Sequence, residues 1–340
     1  HARIARQTNA EGIVLLKNYN KTLPLNSGIK NIATYTSNDI WPEDGVPARP
    51  ARTTDAAVFN IRRFPDESGD YKLSDNFRLS DYERRNLQSV CNAYHSAGKK
   101  VIVVIHTDKP IETASWKNLP DAILLAWSGK AKQSSIADII TGTTNPSGKL
   151  PMTFPVNNTD IPSSVNDTAG TTFIEDIYVG YRYFDSFRKQ VSYPFGYGLS
   201  YTTFAYENAV INEEKNHFIV TVDVTNTGKY PGKEVVQLYT SAPINLDLNK
   251  PLKELKAFAK TKELAPGEKQ TLKLEINKKD LASFNEEESK WIVDTGNYKF
   301  LLGSSSQDIR LFVDAKISES IETAVNNVLL PREHITVLTP

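Results

Sequence analysis

The sequence has few of the features that most often reveal a functional site. Its 340 residues include one cysteine, Cys91, so no internal disulfide can form and metal–thiolate sites are excluded. Lysine and arginine together number 40, as do aspartate and glutamate, so no net field favours nucleic acid or an anionic membrane as a partner. No apolar run reaches the length of a membrane span or forms a signal segment, which leaves cytoplasmic and secreted locations both open. We expect no cofactor and no metal site.

Residues 1–154 have the pattern of an α/β domain with a parallel sheet. A capping box at residues 80–83 opens a helix whose apolar residues recur at helical spacing until Gly98. The runs 101–105 and 122–127 are apolar on both faces, as is typical of strands covered by helices on each side. Alternation of strand and helix predicts parallel strands with right-handed crossovers. We therefore predict an α/β sandwich domain over residues 1–154.

The rest of the chain changes in composition and period. Residues 155–203 are rich in Asn, Ser, Thr, Asp and aromatic residues without a helical period, which predicts a connector anchored on the domain surfaces by its aromatic side chains. Within residues 204–315, apolar and polar residues alternate, as at 218–224, between turns marked by Gly and Pro. Short alternating strands without helices predict a β-sandwich. Residues 316–340 are predicted to form a tail or linker.

An acidic loop directly follows the apolar run at residues 56–61. It contains Asp66, Glu67 and Asp70, with Ser68 and Gly69 favouring a turn. In α/β folds, the carboxyl end of a buried strand is where catalytic residues usually lie. The residues alone leave two interpretations open: a solvated surface turn, or a site that uses a carboxylate.

Three further motifs accompany this loop in a fixed order. They are His-Ala-Arg-Ile-Ala-Arg followed by Glu-Gly-Ile-Val-Leu-Leu-Lys-Asn within residues 1–18, Asn-Pro-Ser-Gly-Lys-Leu-Pro at 145–151, and Tyr-Pro-Phe-Gly-Tyr-Gly-Leu-Ser-Tyr at 193–201. Together the four motifs resemble the second half of glycoside hydrolase family 3, the β-glucosidase and β-xylosidase family. The resemblance covers nearly the whole chain and implies that residues 204–315 form a fibronectin type III-like module.

The resemblance also implies a division of catalytic labour between domains. Cleavage with retention needs two carboxyl groups: one attacks the anomeric carbon, and the other protonates the leaving oxygen and later deprotonates water. In this family the nucleophile is an aspartate on a (β/α)8 barrel, and the acid/base is a glutamate in a Ser-Gly-Glu-Gly-x-Asp-Arg loop. Glu67 lies at that glutamate and Asp70 at that aspartate, so Glu67 is the predicted general acid/base. Asp66 is the second choice, because Asp66 and Ser68 replace two glycines of the pattern and Tyr71 replaces its arginine.

Other candidate positions are predicted to be structural. His106 stands at the end of a predicted strand and is expected to hydrogen-bond to backbone. Residues 107–112 resemble a Gly-Ser-Pro-Ile-Glu turn of the family, whereas residues 128–132 replace a Gly-Gln-Glu-containing loop, so no role is carried over to them. Gly196 and Gly198 do not form a phosphate loop, because aromatic neighbours crowd them and no helix follows.

The link before the acidic-loop strand is shorter than the family pattern implies. Relatives place a further helix and strand there. Without those elements the sheet would expose Val58 and Ile61, so we predict that residues are missing between about Tyr35 and Val46. A true deletion is the alternative.

The chain is therefore interpreted as the non-barrel half of a retaining β-glycosidase that acts on terminal non-reducing β-linked sugars. It begins with His1 rather than Met, and its predicted domains leave no room for a barrel of roughly 250 residues. The expected partners are a barrel domain or fragment carrying the nucleophile and an oligosaccharide or aryl β-glycoside; a homo-oligomer is left open. β-Glucosidase specificity is preferred, with β-xylosidase specificity as an alternative. A non-catalytic module that scaffolds a partner or holds carbohydrate is the alternative of a different class.

Overall fold

The computed structural model divides into two compact units. The first unit comprises His1–Asn158 and Tyr197–Thr202, and the second comprises Thr159–Gly196 and Thr203–Pro340. The structure describes residues 1–38, 48–63, 77–127, 133–162, 174–244, 248–326, 328 and 336–340.

The first unit contains a five-stranded sheet in the order β1-β5-β4-β3-β2. Strands β2 to β5 are parallel, and β1 pairs with β5 in the antiparallel direction. The strands are β1 (Val14–Asn18), β2 (Ile32–Thr36), β3 (Ala56–Arg62), β4 (Lys100–His106), β5 (Ala122–Leu125) and the short β6 (Phe154–Pro155). The helices are α1 (Ala2–Gly12), α2 (Ala48–Thr53), α3 (Asp81–Ser96) and α4 (Gln133–Thr141).

The predicted elements of this unit form for the expected reasons. In the capping box of α3, the Ser80 hydroxyl accepts from the Glu83 N–H at 3.2 Å and the Glu83 carboxylate accepts from the Ser80 N–H at 2.9 Å. The apolar face of α3 is buried, and Gly98 follows the helix with a φ of +68°. The α/β class is confirmed, although the apolar run of β1 did not predict its antiparallel direction.

The short link before β3 does not expose the sheet. Strand β2 pairs directly with β3, and both Val58 and Ile61 are buried. The expectation that these two side chains would lack cover is therefore wrong: Val58 belongs to a buried core cluster that includes Ile102 and Ile139, and Ile61 is fully buried. We predicted missing residues between about Tyr35 and Val46; the part of that stretch after residue 38 lies outside the described residues.

The second unit is built from antiparallel sheets, which confirms the all-β class. One sheet has the order β11-β10-β15-β16, another β12-β9-β8, and a third β13-β14-β17. Their apolar faces share one core, in which the rings of Phe218 and Phe300 lie 5.2 Å apart. The strands of this unit are β7 (Val191–Tyr193), β8 (Phe204–Glu213), β9 (His217–Asn226), β10 (Val235–Ser241), β11 (Glu254–Lys260), β12 (Lys269–Asn277), β13 (Ser283–Asn285), β14 (Lys290–Val293), β15 (Gly296–Ser305), β16 (Asp308–Ile317) and β17 (Ile321–Ala324).

Two segments carry more structure than their composition predicted. The connector contains a short helix, α5 (Tyr181–Ser186), and Tyr178 and Phe184 are buried in an aromatic cluster. Tyr181 stacks on Phe195 at 4.6 Å between ring centroids. The C-terminal stretch contributes β17, which pairs with β14.

Candidate functional site

The carboxyl ends of three parallel strands meet at one edge of the first unit's sheet. There the Ser37 N–H donates to the Asn60 carbonyl at 2.9 Å, and the Arg63 N–H donates to the His106 carbonyl at 2.8 Å. The ladder therefore continues one residue past β2 and β3. This edge is the place where an α/β sheet usually presents its chemistry.

A polar contact within the sheet fixes this edge. Asn60 is the polar residue in the otherwise apolar centre of β3, and its side-chain amide donates to the Tyr35 carbonyl at 3.1 Å. The side-chain oxygen Oδ1 of Asn60 therefore faces His106 and accepts a hydrogen bond from His106 Nε2 at 3.1 Å. Burial, with the positive charge of Arg62 adding to it, lowers the pKa of His106, while a hydrogen bond with the Trp127 backbone opposes that shift. Through these contacts His106 links β3, β4 and the segment after β5, and its predicted backbone hydrogen bond, to Trp127, is confirmed.

A buried ion pair stands where the chain leaves β3. The Arg63 guanidinium donates to both carboxylate oxygens of Glu83, from Nη1 at 2.8 Å and from Nη2 at 2.9 Å. The two side chains are 7% and 9% exposed, so water does little to weaken the pairing. Arg63 Nη2 also donates to the Arg78 carbonyl at 3.4 Å. A single side chain at the end of β3 thus contacts both the start of α3 and the chain that leads into it.

The electrostatic state of Glu83 follows from these contacts. Desolvation raises its pKa, but the hydrogen bonds from Arg63 and from the Ser80 N–H together outweigh that effect, so the pKa lies below its ordinary value. Glu83 is therefore ionised at neutral pH. The same Glu83 carboxylate both closes the capping box of α3 and pairs with Arg63.

The chain returns to the sheet edge at Phe77, which is buried and accepts from the Glu112 N–H at 2.7 Å through its carbonyl. The Glu112 carboxylate accepts from the Ser115 N–H and hydroxyl at 2.6 and 2.7 Å, and its carbonyl accepts from the Trp116 indole at 2.7 Å. These partners of Glu112 all lie within the fold, as expected of a structural turn. Phe77 is anchored by that turn.

The acidic loop itself belongs to residues 64–76. Asp66, Glu67 and Asp70 lie outside the described residues, as do residues 128–132. The structure does describe the two residues that flank the acidic loop, which we call its frame. These are Arg63 before it and Phe77 after it, and both are buried at the sheet's carboxyl edge.

Gly148 and Gly198, one from each glycine-containing motif, lie at close backbone contacts within the first unit. A Cβ on Gly148 would lie 2.4 Å from the Ile13 carbonyl oxygen, and one on Gly198 would lie 2.1 Å from the Gly148 carbonyl oxygen. Backbone bonds hold these segments together: the Leu150 N–H donates to the Tyr197 carbonyl and the Leu199 N–H to the Leu15 carbonyl, each at 2.9 Å. Glycine is required here because three stretches of backbone come into contact.

Sequence reasoning missed the Arg63–Glu83 pair. A partial signal was available, since Glu83 was recognised as a capping residue and Arg63 follows a buried strand. Among the described residues, no group of three or more His, Cys, Asp or Glu side chains is arranged to hold a metal ion. In the same part of the chain, no helix is long and apolar enough to cross a membrane.

Two family models match the chain. The glycosyl hydrolase family 3 C-terminal domain matches residues 42–201, and the fibronectin type III-like domain matches residues 234–306. Together the matched stretches take in parts of both structural units.

The chain is also similar to curated and solved β-glucosidases. It is 36% identical to a β-glucosidase of Kluyveromyces marxianus over 261 residues, covering 73% of this chain and 30% of that protein. It is 30% identical to thermostable β-glucosidase B of Acetivibrio thermocellus over 403 residues, covering all of this chain and 52% of that protein. The structure of β-glucosidase 3B from Thermotoga neapolitana in complex with glucose matches with a TM-score of 0.86 and 33% identity, covering 96% of this chain and 55% of that one. The chain therefore spans about half, or less, of the length of these relatives.

Proposed function

The chain belongs to glycoside hydrolase family 3, and from that premise we propose that it forms one part of a retaining β-glucosidase. Relatives that cover most or all of this chain carry the name β-glucosidase, which supports glucosides as the substrate class. This chain covers only 55% of the Thermotoga neapolitana β-glucosidase chain, which leaves room for a further domain in the assembled enzyme. We assign the nucleophile to a (β/α)8 barrel in that remainder.

In this proposal, Glu67 is the general acid/base. In the first step, the Glu67 carboxylic acid gives its proton to the leaving glycosidic oxygen while the barrel's aspartate attacks the anomeric carbon. In the second step, the Glu67 carboxylate takes a proton from a water molecule while that water attacks the anomeric carbon. The bond between the anomeric carbon and the barrel's aspartate breaks, which releases the sugar and restores the aspartate carboxylate. The proton that leaves in the first step is thus restored in the second.

The observation that carries this proposal is the anchoring of the acidic loop's two ends. Residues 64–76 depart from Arg63 and return at Phe77, and both anchors are buried at the carboxyl edge of the parallel sheet. Such fixed ends suit a carboxylate that must stand about 5 to 5.5 Å from a nucleophile on another domain.

The test is to replace Glu67 with Ala in the assembled enzyme, in which a family 3 barrel accompanies this chain. An activated aryl β-glucoside has a leaving group that departs without protonation, so its first step should persist, whereas a disaccharide should lose at least about 100-fold in rate. Azide, which attacks without deprotonation, should partly restore turnover of the aryl substrate.

The matched control is Asp66→Ala, which removes the neighbouring carboxylate from the same loop. If Asp66→Ala gives the selective loss and azide rescue while Glu67→Ala does not, the acid/base role belongs to Asp66. If neither variant separates the two substrates, the chain supplies no acid/base at all and acts as a supporting module.

A further inference from the structure

The two ends of the acidic loop are joined by side chains that no catalytic step requires. We call the two described ends of this loop, Arg63 on one side and Phe77–Arg78 on the other, its stem. The Arg63 N–H donates to the His106 carbonyl at 2.8 Å. Its guanidinium reaches across to Glu83 and to the Arg78 carbonyl, which follows the return point at Phe77. The pair therefore spans the stem from its outgoing strand to its incoming helix.

The geometry of the pair is fixed on both sides. A guanidinium that donates two parallel bonds to one carboxylate has a set direction as well as a set distance, which a lysine ammonium cannot reproduce. Glu83 is further held by the Ser80 N–H at 2.9 Å, so its carboxylate cannot turn to follow a moving partner. The stem is thus tied to the first turn of α3 and, through Arg63, to the end of β3.

A buried ion pair contributes little net stability compared with an apolar pair of the same volume, because desolvation of both charges offsets their attraction. What such a pair does supply is a single geometry. The position of this one, at the stem of the loop that carries Glu67, is where a single geometry matters for the reaction.

We propose that Arg63 and Glu83 are positioning residues for the acid/base, an inference that rests on the proposed function of Glu67. Both side chains are largely buried and are assigned no contact with the substrate. They hold the two described ends of the loop, Arg63 and Phe77–Arg78, in one relative position, and substitution of either should impair proton transfer by Glu67. A displacement of about 1 Å at a catalytic group can cost on the order of 100-fold in rate.

The purely structural alternative is that Glu83 serves α3 alone as its capping residue. Two substitutions separate these roles. Glu83→Gln keeps a side-chain carbonyl for the Ser80 N–H, and Gln is accepted in a capping box, but its amide N–H group faces the Arg63 donors and breaks the two-bond pairing. Ser80→Ala removes the capping hydroxyl and leaves both the ion pair and the backbone N–H in place, so it is the matched control.

The experiment measures kcat/KM of the assembled enzyme for a β-linked glucose disaccharide and for an activated aryl β-glucoside. Glu83→Gln and Arg63→Lys should each lower the disaccharide value on the order of ten- to a hundredfold, and the aryl value about threefold or less. Ser80→Ala should leave the ratio of the two values unchanged. The ratio is taken on one preparation, so a loss of folded protein does not alter it.

Equal losses on both substrates, or no change in the ratio for either variant, would overturn the proposal and leave the pair a structural contact. The Glu67→Ala variant keeps this outcome apart from a failure of the proposed function. If Glu67→Ala shows the selective loss and the pair variants do not, the acid/base assignment stands and the positioning role fails. If Glu67→Ala shows no selective loss, the proposed function of Glu67 is wrong, and the positioning role that rests on it is wrong as well.

Discussion

The substitution Gly198→Ala tests how the first unit is held together. A Cβ at this position would lie 2.1 Å from the Gly148 carbonyl oxygen, whereas ordinary contact needs about 3.5 Å. The atom that the new Cβ would meet is a backbone oxygen, which cannot move aside as the end of a flexible side chain can. The segments that contain Gly148 and Gly198 must therefore separate by about 1 Å or more. The strained contact is steric alone, because the structure gives Gly198 no positive φ.

The cost follows from the bonds that such a shift would break. The Leu150 N–H to Tyr197 carbonyl bond and the Leu199 N–H to Leu15 carbonyl bond, both 2.9 Å long, lie beside Gly198. Each buried group left unpaired costs about 1 to 3 kcal/mol, and overpacking itself costs about 1 to 3 kcal/mol. Since the segments can relax in part, we expect Gly198→Ala to lower the free energy of unfolding of the first unit by about 3 kcal/mol.

Urea unfolding of the 340-residue chain, followed by amide hydrogen exchange in peptides from β1 and from residues 145–150, measures this loss in the first unit separately. Gly12→Ala is the matched control, because a Cβ on Gly12 meets nothing within 4 Å and alanine favours the helix. That control should be neutral or stabilising by up to about 1 kcal/mol. A loss below about 1 kcal/mol for Gly198→Ala would refute the argument that backbone contact at Gly148 requires glycine.

Two further predictions concern buried titratable groups of the first unit. Burial raises the pKa of the Cys91 thiol to about 12, so iodoacetamide at pH 8 should label the native chain only as fast as it opens; rapid labelling detected by mass spectrometry would contradict this burial. Desolvation raises the pKa of Asp121, but hydrogen bonds from the Val101 N–H, Lys100 and His95 outweigh it and set the pKa below its ordinary value of 3.8. Asp121→Asn should therefore cost about 2 kcal/mol of unfolding free energy at pH 7, and the difference from wild type should shrink as the pH falls below 3.8; a difference that persists at pH 2 would contradict an ionic origin.

Local sequence signals predicted those parts of the fold that depend on local physics. The capping box at Ser80 and the helical spacing after it marked α3, and apolar runs marked β3, β4 and β5. An apolar run does not encode strand direction, so the antiparallel pairing of β1 with β5 could not be read from it. Helix α5 was missed because its six residues, Tyr181–Ser186, are too few to show a helical period.

The frame of the candidate site shows the same limit. The apolar run predicted a buried strand that ends just before the acidic residues, and β3 does end at Arg62. The Arg63–Glu83 pair could not be predicted, because its two members are 20 residues apart and meet only when α3 packs beside β3. Asn60 gave a visible signal, a single amide in an apolar strand, but its partner His106 lies on another strand.

In the function proposed above, this chain supplies one catalytic carboxyl group and a barrel supplies the other. The most direct measurement is the turnover of an aryl β-glucoside by purified residues 1–340, first alone and then with a family 3 barrel added. We predict no turnover above the uncatalysed rate for the chain alone, because without a nucleophile the oxocarbenium-like transition state receives little stabilisation. We predict activity once the barrel is present. Appreciable turnover by the isolated chain would contradict this proposal, since both carboxyl groups would then lie within these 340 residues.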